Sequence, residues 1–382
     1  MGFQEFLGNT ATADRLRESV LHDRVPQAVI LAGPRGAGKY TLALMFARLI
    51  NCLNPVVSNS KTGVPNDGSS SLGRNGLPDY CGVCRNCERI GQAADLETAA
   101  AAALAAREDL REVDKRETRI LIQPHPDVLI IPPDPPQNLV KIGQVRQVIH
   151  NAYYRPPVEA RRSIFLFTSS AFMKEAANSL LKVLEEPPPN CTLILLSENP
   201  AEMLPTIRSR AMLFRLGAVP IKTLEELLAA RRPDLKAPRR ALIACLSEGA
   251  VGRALGFDVD AYIASRQDAL TILRSALREP DFSALFRTTE AYRGGADGQE
   301  KTLNLLRTTN KLIQDLLMVT AGTPHLVRNQ DIAAELGQLA QGVDLDWIDR
   351  AARELAEVER GMRRNLLRSL SLDAMAVSLE RL

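Results

Sequence analysis

The sequence predicts an α/β domain, in which a parallel sheet is flanked by helices, followed by a helical region. An apolar run at Ala28–Ala32 leads through a glycine-rich loop into a helical pattern over residues 41–49. That order of strand, loop and helix is typical of an α/β domain. Residues 258–382 carry several amphipathic runs, which predict helices. Further short apolar runs, each typical of a buried strand, lie at 128–131, 164–167 and 192–197.

The composition limits the classes of protein to consider. With 382 residues, of which 45% are hydrophobic and 24% charged, the chain is expected to form two or three domains. Its net charge of +3 is too small to indicate nucleic-acid binding by itself. No apolar run reaches the roughly 18 residues of a membrane-spanning helix, and the segment Met1–Phe6 lacks the features of a secretion signal. We therefore expect a cytoplasmic protein.

The glycine-rich loop has the pattern of a phosphate-binding site. Its glycines let successive backbone N–H groups face an anion at a helix N-terminus, and Lys39 supplies a charge for the outer phosphates. The next position, where the pattern requires a hydroxyl that binds magnesium, holds Tyr40. Thr41 has a hydroxyl, but one residue along a helix turns it by about 100°. The candidate nucleotide-binding residues in the loop are Gly33, Gly36, Gly38, Lys39 and Thr41.

A second departure from an active nucleotide site lies at the end of the predicted strand 164–167. In a P-loop ATPase, such a strand ends in acidic groups that hold magnesium and act on the attacking water. Here these positions are Thr168 and Ser169. We therefore expect no significant ATP hydrolysis by the isolated chain, and ATP binding that is weak or absent.

Four cysteines form a candidate metal site. Cys81, Cys84 and Cys87 follow one another at two-residue spacing, and Cys52 follows the helix of the glycine-rich loop. Four thiolates suit tetrahedral structural zinc. The alternatives are a disulfide pair, which a cytoplasmic setting disfavours, and buried thiols without a metal. Cys191 and Cys245 stand in apolar segments and are expected to be buried bystanders.

Of two segments near the cysteines, one is expected to be a mobile loop and the other a helical arm with no chemistry of its own. The polar stretch at 53–80 cannot bury enough apolar surface to become ordered, so a mobile loop is expected. The alanine-rich stretch at 93–119 has charges at helical spacing and predicts an exposed helical insert. The predicted zinc module thus covers residues 52–87, with the helical insert after it.

Several motifs together resemble one known family, the delta-prime subunits of the bacterial DNA polymerase III clamp loader, in the AAA+ superfamily. The resemblance spans residues 1–257, while the remainder matches only as a weakly patterned helical domain. The matching segments are the loop Gly33–Lys39, the cysteine set, His125-Pro126-Asp127, Ala177–Pro188, Leu204–Arg210 and Gly249–Ala254.

The resemblance implies three domains. Residues 1–215 would form an AAA+ P-loop-like domain with the zinc module, 216–257 a small helical lid, and 258–382 a helical collar that oligomerises with other loader subunits. Arg253 lies in the segment similar to the second sensor of the lid, and is a further candidate for the degenerate nucleotide site. The alternative for 258–382 is a self-contained helical bundle.

The resemblance also implies a function in loading the sliding clamp onto primed DNA. Such subunits do not hydrolyse ATP but donate the arginine of a Ser-Arg-Cys motif to a neighbouring ATPase subunit. Here the motif reads Ser209-Arg210-Ala211, which keeps the arginine. The implied partners are the motor (gamma/tau) and delta subunits, with the clamp and primer-template DNA contacted through the assembly. Alternatively, Arg210 merely pairs with a carboxylate.

Two other functions remain open at this point. One is an active motor subunit of the same machine, which the missing acidic pair disfavours. The other is a free-standing zinc-dependent nucleic-acid-binding protein, which the small net charge disfavours.

Overall fold

A computed structural model divides the chain into two compact units. The first comprises residues 1–219 and 249–253, and the second comprises 220–248 and 254–382. The expected mobile loop at 53–80 falls mostly outside the described residues, as does the 112–118 part of the predicted insert. The predicted domain borders at 215 and 257 stay predictions. The structure describes residues 2–56, 76–111, 119–135, 137–154, 157–277, 282–293, 298–362 and 367–380.

A six-stranded sheet forms the centre of the first unit. Its strand order is β2-β3-β4-β5-β1-β6. All neighbouring strands are parallel except β2 and β3. Numbered along the chain, the strands are β1 (Ala28–Ala32), β2 (Ile122–His125), β3 (Val128–Ile131), β4 (Ser163–Phe167), β5 (Cys191–Ser197) and β6 (Met212–Arg215).

Helices cover both faces of this sheet. Val29 and Leu31 pack on one face with α1, α2 and α3, while Ile30 packs on the other face with α5 and α6. Because both faces of β1 and β3 are buried, these strands are apolar at every position rather than alternating. The helices of this part are α1 (Thr10–Leu21), α2 (Lys39–Ile50), α3 (Arg85–Gly91), α4 (Leu96–Glu108), α5 (Ile142–Tyr154), α6 (Lys174–Glu185) and α7 (Pro205–Arg208).

The sheet is mostly parallel, whereas the sequence predicted a parallel sheet. Two strands were not predicted: β2 lies at one edge and pairs with β3 antiparallel, and β6 lies at the other edge and pairs with β1 parallel. Pro126 and Asp127 form the turn between β2 and β3, and a two-residue connection can join only antiparallel neighbours. The motif His125-Pro126-Asp127 therefore marks a hairpin. Within the predicted insert, α4 has no buried residue, and the bounds of the insert at 93 and 119 stay a prediction.

The second unit is helical throughout its described residues. Its core includes Trp347, which is 1% exposed and donates from Nε1 to the Leu379 carbonyl at 3.0 Å. No helix among the described residues of the chain is long and apolar enough to cross a membrane. The helices are α8 (Ile221–Arg231), α9 (Ala237–Leu246), α10 (Val251–Leu255, which begins in the first unit), α11 (Val259–Leu277), α12 (Ser283–Glu290), α13 (Gly298–Thr320), α14 (Ala333–Ala340), α15 (Leu345–Met362) and α16 (Arg368–Ser378).

Candidate functional site

The glycine-rich loop joins β1 to α2, as the sequence predicted. Gly36 and Gly38 have φ angles of +82° and +88°, in the left-handed region that favours glycine. A side chain at Gly36 would place its Cβ 2.8 Å from the backbone nitrogen of Arg253. The Gly252 N–H also donates to the Gly36 carbonyl at 2.8 Å. The predicted second-sensor segment therefore lies directly against the loop.

Lys39 points back onto its own loop. Its Nζ donates to the carbonyl oxygens of Gly33 at 2.5 Å and Pro34 at 2.8 Å. Burial lowers the pKa of Lys39, and the carboxylate of Glu198 opposes that shift. In the structure, the ammonium group is thus held by two carbonyls of the loop.

Tyr40 does not reach the place of a magnesium ligand. Its hydroxyl donates to the carbonyl of Ala93 at 2.5 Å, on the chain segment that follows α3. Burial, and secondly the charge of Asp95, raise the pKa of Tyr40, so the hydroxyl stays protonated. The candidate Thr41 is half-buried one residue further along α2.

A cavity of about 600 Å³ opens beside Lys39, beyond the carboxyl ends of β4 and β5. Such crevices are the usual ligand sites of open α/β sheets. Thr168 and Ser169 line it with hydroxyl groups, and its acidic lining residues are Glu198 and Glu202. The structure therefore brings together the lysine of the loop and the two positions at which the sequence lacks carboxylates.

Arg210 lies just after α7, on an exposed part of the first unit. Its Nη2 is 2.9 Å from Glu185 Oε1, and the two side chains are 35% and 50% exposed. Its Nη1 also donates to the Thr206 carbonyl at 3.1 Å. In the isolated chain, the carboxylate partner that the alternative interpretation expected is therefore present. An ion pair between exposed side chains contributes only about 0–1 kcal/mol.

The structure brings the four predicted metal-binding cysteines together. The sulfurs of Cys52, Cys81, Cys84 and Cys87 all lie within 4.8 Å of one another. Cys52 follows the end of α2, and Cys87 lies in the first turn of α3. Tetrahedral zinc with thiolates at about 2.3 Å separates its sulfurs by about 3.8 Å. The cluster therefore fits a four-thiolate metal ion. Of the bystanders, Cys191 is buried as expected, whereas Cys245 is half-buried.

Hydrogen bonds link the sulfurs of this cluster to one another and to the backbone. The pKa of the Cys52 thiol is lowered to about 5, chiefly by its hydrogen bond with Cys87, and the same bond raises the pKa of Cys87. Two backbone N–H groups also point at sulfurs, that of Cys81 at Cys52 Sγ and that of Cys84 at Cys81 Sγ, both at 3.3 Å. These are donors that favour thiolates.

Sequence reasoning missed a buried polar network behind the cysteines. Asn86 is 0% exposed, and its Nδ2 donates to the carbonyls of Asn51 at 3.0 Å and Glu159 at 3.1 Å. Its Oδ1 accepts from His125 Nε2 at 3.1 Å, while His125 Nδ1 accepts from the Asp127 N–H at 3.1 Å. This network ties α3 to the hairpin. The signals for it in the sequence were a polar asparagine between two cysteines and the motif His125-Pro126-Asp127.

Comparisons with known proteins point to one family. A family model described as "DNA polymerase III, delta subunit" matches residues 8–220. The chain is 25% identical over 185 residues to the DNA polymerase III subunit delta' of Pseudomonas aeruginosa, which covers 48% of this chain and 41% of that protein. It is 26% identical over 210 residues to the subunit tau/gamma of Haemophilus influenzae, covering 55% and 22%. The chain thus spans less than half the length of these relatives.

A solved structure resembles the chain over most of its length. A DNA polymerase III gamma-subunit-related protein from Thermotoga maritima aligns with a TM-score of 0.43 and 15% identity, covering 96% of this chain and 98% of that one.

Proposed function

The chain belongs to the DNA polymerase III delta-subunit family of clamp-loader proteins, and from that premise we propose that it is the non-motor, delta-prime subunit. In this role it is a stator that helps to load the sliding clamp onto primed DNA during replication. It donates Arg210 to the ATPase site of a neighbouring motor subunit. Its partners are the gamma/tau and delta subunits, with clamp and primer-template DNA reached through the assembly.

The exposure of Arg210 carries this proposal. The guanidinium is fixed near α7 by the Thr206 carbonyl and by Glu185, but only through bonds at the protein surface. A transferring phosphate carries more negative charge than one carboxylate, and it can accept two parallel hydrogen bonds from a guanidinium. The neighbour's phosphate therefore displaces Glu185 at low cost. A positive charge there offsets charge that develops in the transition state.

The test is a reconstituted loader that contains Arg210→Ala. We expect the ATPase site beside this subunit to lose activity by about three powers of ten, measured as the DNA-stimulated rate in single turnover. Arg208→Ala is the matched control, because Arg208 is also exposed, two residues away. An unchanged rate in the Arg210 variant would refute the arginine-finger role, provided that the variant still assembles.

We also propose that the chain itself does not hydrolyse ATP. This is supported by the bond between Tyr40 and Ala93, and by the hydroxyl groups of Thr168 and Ser169 at positions where an active site has carboxylates. The alternative, an active motor subunit, requires hydrolysis by the purified chain. A rate typical of motor subunits that is lost in Lys39→Ala would establish the alternative.

Structural zinc in the cysteine cluster is part of the proposal. Four thiolates leave no open position for a water molecule, so the metal would stabilise the module rather than catalyse a reaction. Elemental analysis should find about one zinc per chain, and Cys87→Ser should lose it. Cys191→Ser is the control, because Cys191 lies in β5 outside the cluster. Well under one zinc in the wild-type chain would remove this assignment.

The remaining parts of the proposal concern the second half of the chain. Residues 216–257 would act as the lid, and 258–382 as the collar that joins the other loader subunits. A chain lacking 258–382 is expected to be lost from a pull-down with the motor and delta subunits. Its retention would favour the self-contained bundle instead.

A further inference from the structure

The helices α2 and α3 are joined at both of their paired ends. At one end, Cys52 just after α2 meets Cys87 in the first turn of α3. At the other end, Tyr40 in the first turn of α2 donates to the carbonyl of Ala93, two residues after α3. The two helices therefore run in opposite directions.

We propose that Tyr40 is a positioning residue, whose hydroxyl couples the metal state of the cysteine cluster to the conformation of the glycine-rich loop. The proposal goes beyond the clamp-loader role and does not depend on it. It rests only on the metal assignment made above.

Contacts between the two joints make the helix pair rigid. The guanidinium of Arg48, on α2, lies over the ring of Tyr80 at 5.4 Å from its centroid, next to the first cysteine of the knuckle. Gly91, at the end of α3, lies so close to Arg48 that a Cβ there would be 1.7 Å from Nη2. Cys87 and Ile90 are both 0% exposed. A shift of α3 at the metal end is therefore carried to its other end.

The Tyr40 hydroxyl is suited to transmit such a shift. Its acceptor, Ala93, is 2% exposed, so water does not readily replace the tyrosine as a donor. Because burial raises the pKa of Tyr40, the hydroxyl remains a donor throughout the neutral range. In the chain, Tyr40 follows Gly38 and Lys39 directly, at the point where the loop becomes α2. Movement of Ala93 thus acts on the first turn of the loop helix.

The position of Tyr40 also explains why a tyrosine is useful there. A serine or threonine at this position would be too short to reach Ala93. The residue that departs from the phosphate-binding pattern is therefore the one that fastens the loop to the cysteine module. The loop is held in shape by the protein's own contacts, among them this bond and the one from the Gly252 N–H to the Gly36 carbonyl.

The test measures hydrogen exchange of the full chain by mass spectrometry, with zinc bound and after its removal by a chelator. Zinc content is determined first in each sample. In the wild-type chain, removal of zinc should speed exchange of the amides at 36–42 by about fivefold, the size expected for loss of one hydrogen bond. In Tyr40→Phe, the zinc-bound chain should already show that increase, and removal should add less than twofold.

Tyr153→Phe is the matched control. The Tyr153 hydroxyl also donates to a backbone carbonyl, that of Glu186 at 2.7 Å, but on α5. Its removal should leave exchange at 36–42 and its dependence on zinc unchanged. Zinc removal could also speed exchange in β4, outside the helix pair. In that case the two variants are compared with zinc bound: exchange at 36–42 should be faster than in the wild-type chain only in Tyr40→Phe.

Three results would overturn the proposal. The first is an equal response to zinc removal in the wild-type chain and in Tyr40→Phe. The second is faster exchange in α3 on zinc removal with no change in the loop. If the chain has been shown to bind zinc, either of these two results refutes the coupling but not the metal assignment. A chain that binds no zinc refutes both the coupling and the metal assignment.

Discussion

His125 is expected to make the stability of the first unit depend on pH. Its ring is 1% exposed, with Nε2 donating to Asn86 and Nδ1 accepting from the N–H of Asp127. A second ring proton would sit on Nδ1 and face that N–H. Burial lowers the pKa of His125, and the carboxylate of Asp127, 4.0 Å from Nδ1, only partly opposes the shift. The folded chain therefore favours the neutral ring.

The sign and size of the effect follow from proton linkage. As pH falls below about 6.5, the ordinary pKa of histidine, the unfolded chain binds a proton that the folded chain does not. Stability from His125 is thus fully present above about pH 6.5 and is lost as pH falls towards the folded-state pKa. The slope approaches about 1.4 kcal/mol per pH unit for one proton. With a urea m-value of about 3 kcal/mol/M, the unfolding midpoint falls by about 0.5 M per pH unit.

The measurement must report on the first unit alone. The single tryptophan, Trp347, lies in the second unit, so pulsed hydrogen exchange of peptides from β3 and β4 should be used to read the urea midpoint between pH 5 and 8. In His125→Asn, the urea midpoint should be lower at every pH. The part of its pH dependence that comes from this histidine should vanish. His22→Asn, at an exposed position, should keep the wild-type slope. Equal slopes in the wild-type chain and His125→Asn would refute the argument.

Two further predictions concern Asp315 in the second unit and Gly36 in the first. Asp315, which is 0% exposed, accepts from the N–H groups of Arg328 and Asn329 at 2.9 and 3.0 Å. Asp315→Ala should therefore destabilise the second unit by about 3 kcal/mol, measured by urea unfolding followed by Trp347 fluorescence. A loss of stability under about 1 kcal/mol would contradict this. Gly36→Ala should destabilise the first unit by about 1–3 kcal/mol, because φ is +82° and the Cβ would meet backbone. Gly337→Ala is its control, since that Cβ meets nothing within 4 Å, and it should be neutral or stabilising in the second unit.

The sequence predicted the parts of the fold that depend on local pattern. Apolar runs marked β1, β3, β4 and β5, because a strand buried on both faces must be apolar at every position. β2 and β6 were missed. The residues of β2, Ile122–His125, are half polar, and both strands lie at an edge of the sheet. An edge strand with one neighbour depends on that neighbour more than on its own side chains.

The cysteines show the same division between chain pattern and tertiary contact. The knuckle of Cys81, Cys84 and Cys87 could be found from spacing, because one turn presents these sulfurs together. Cys52 was assigned to the same cluster although 29 positions separate it from Cys81, and only the packing of α3 against α2 brings the two sulfurs within 3.5 Å. Asn86 and His125 met for the same reason, from elements far apart in the chain.

The sequence by itself determined which chemical groups the loop holds and lacks: the glycines, Lys39, and a tyrosine in place of a magnesium-binding hydroxyl. The tertiary structure decided where those groups point. Lys39 turns to the carbonyls of its own loop, and Tyr40 reaches across to Ala93. Both directions depend on which acceptors lie within hydrogen-bond distance in the folded chain. Residue type fixes the available chemistry, whereas contacts distant in sequence fix its geometry.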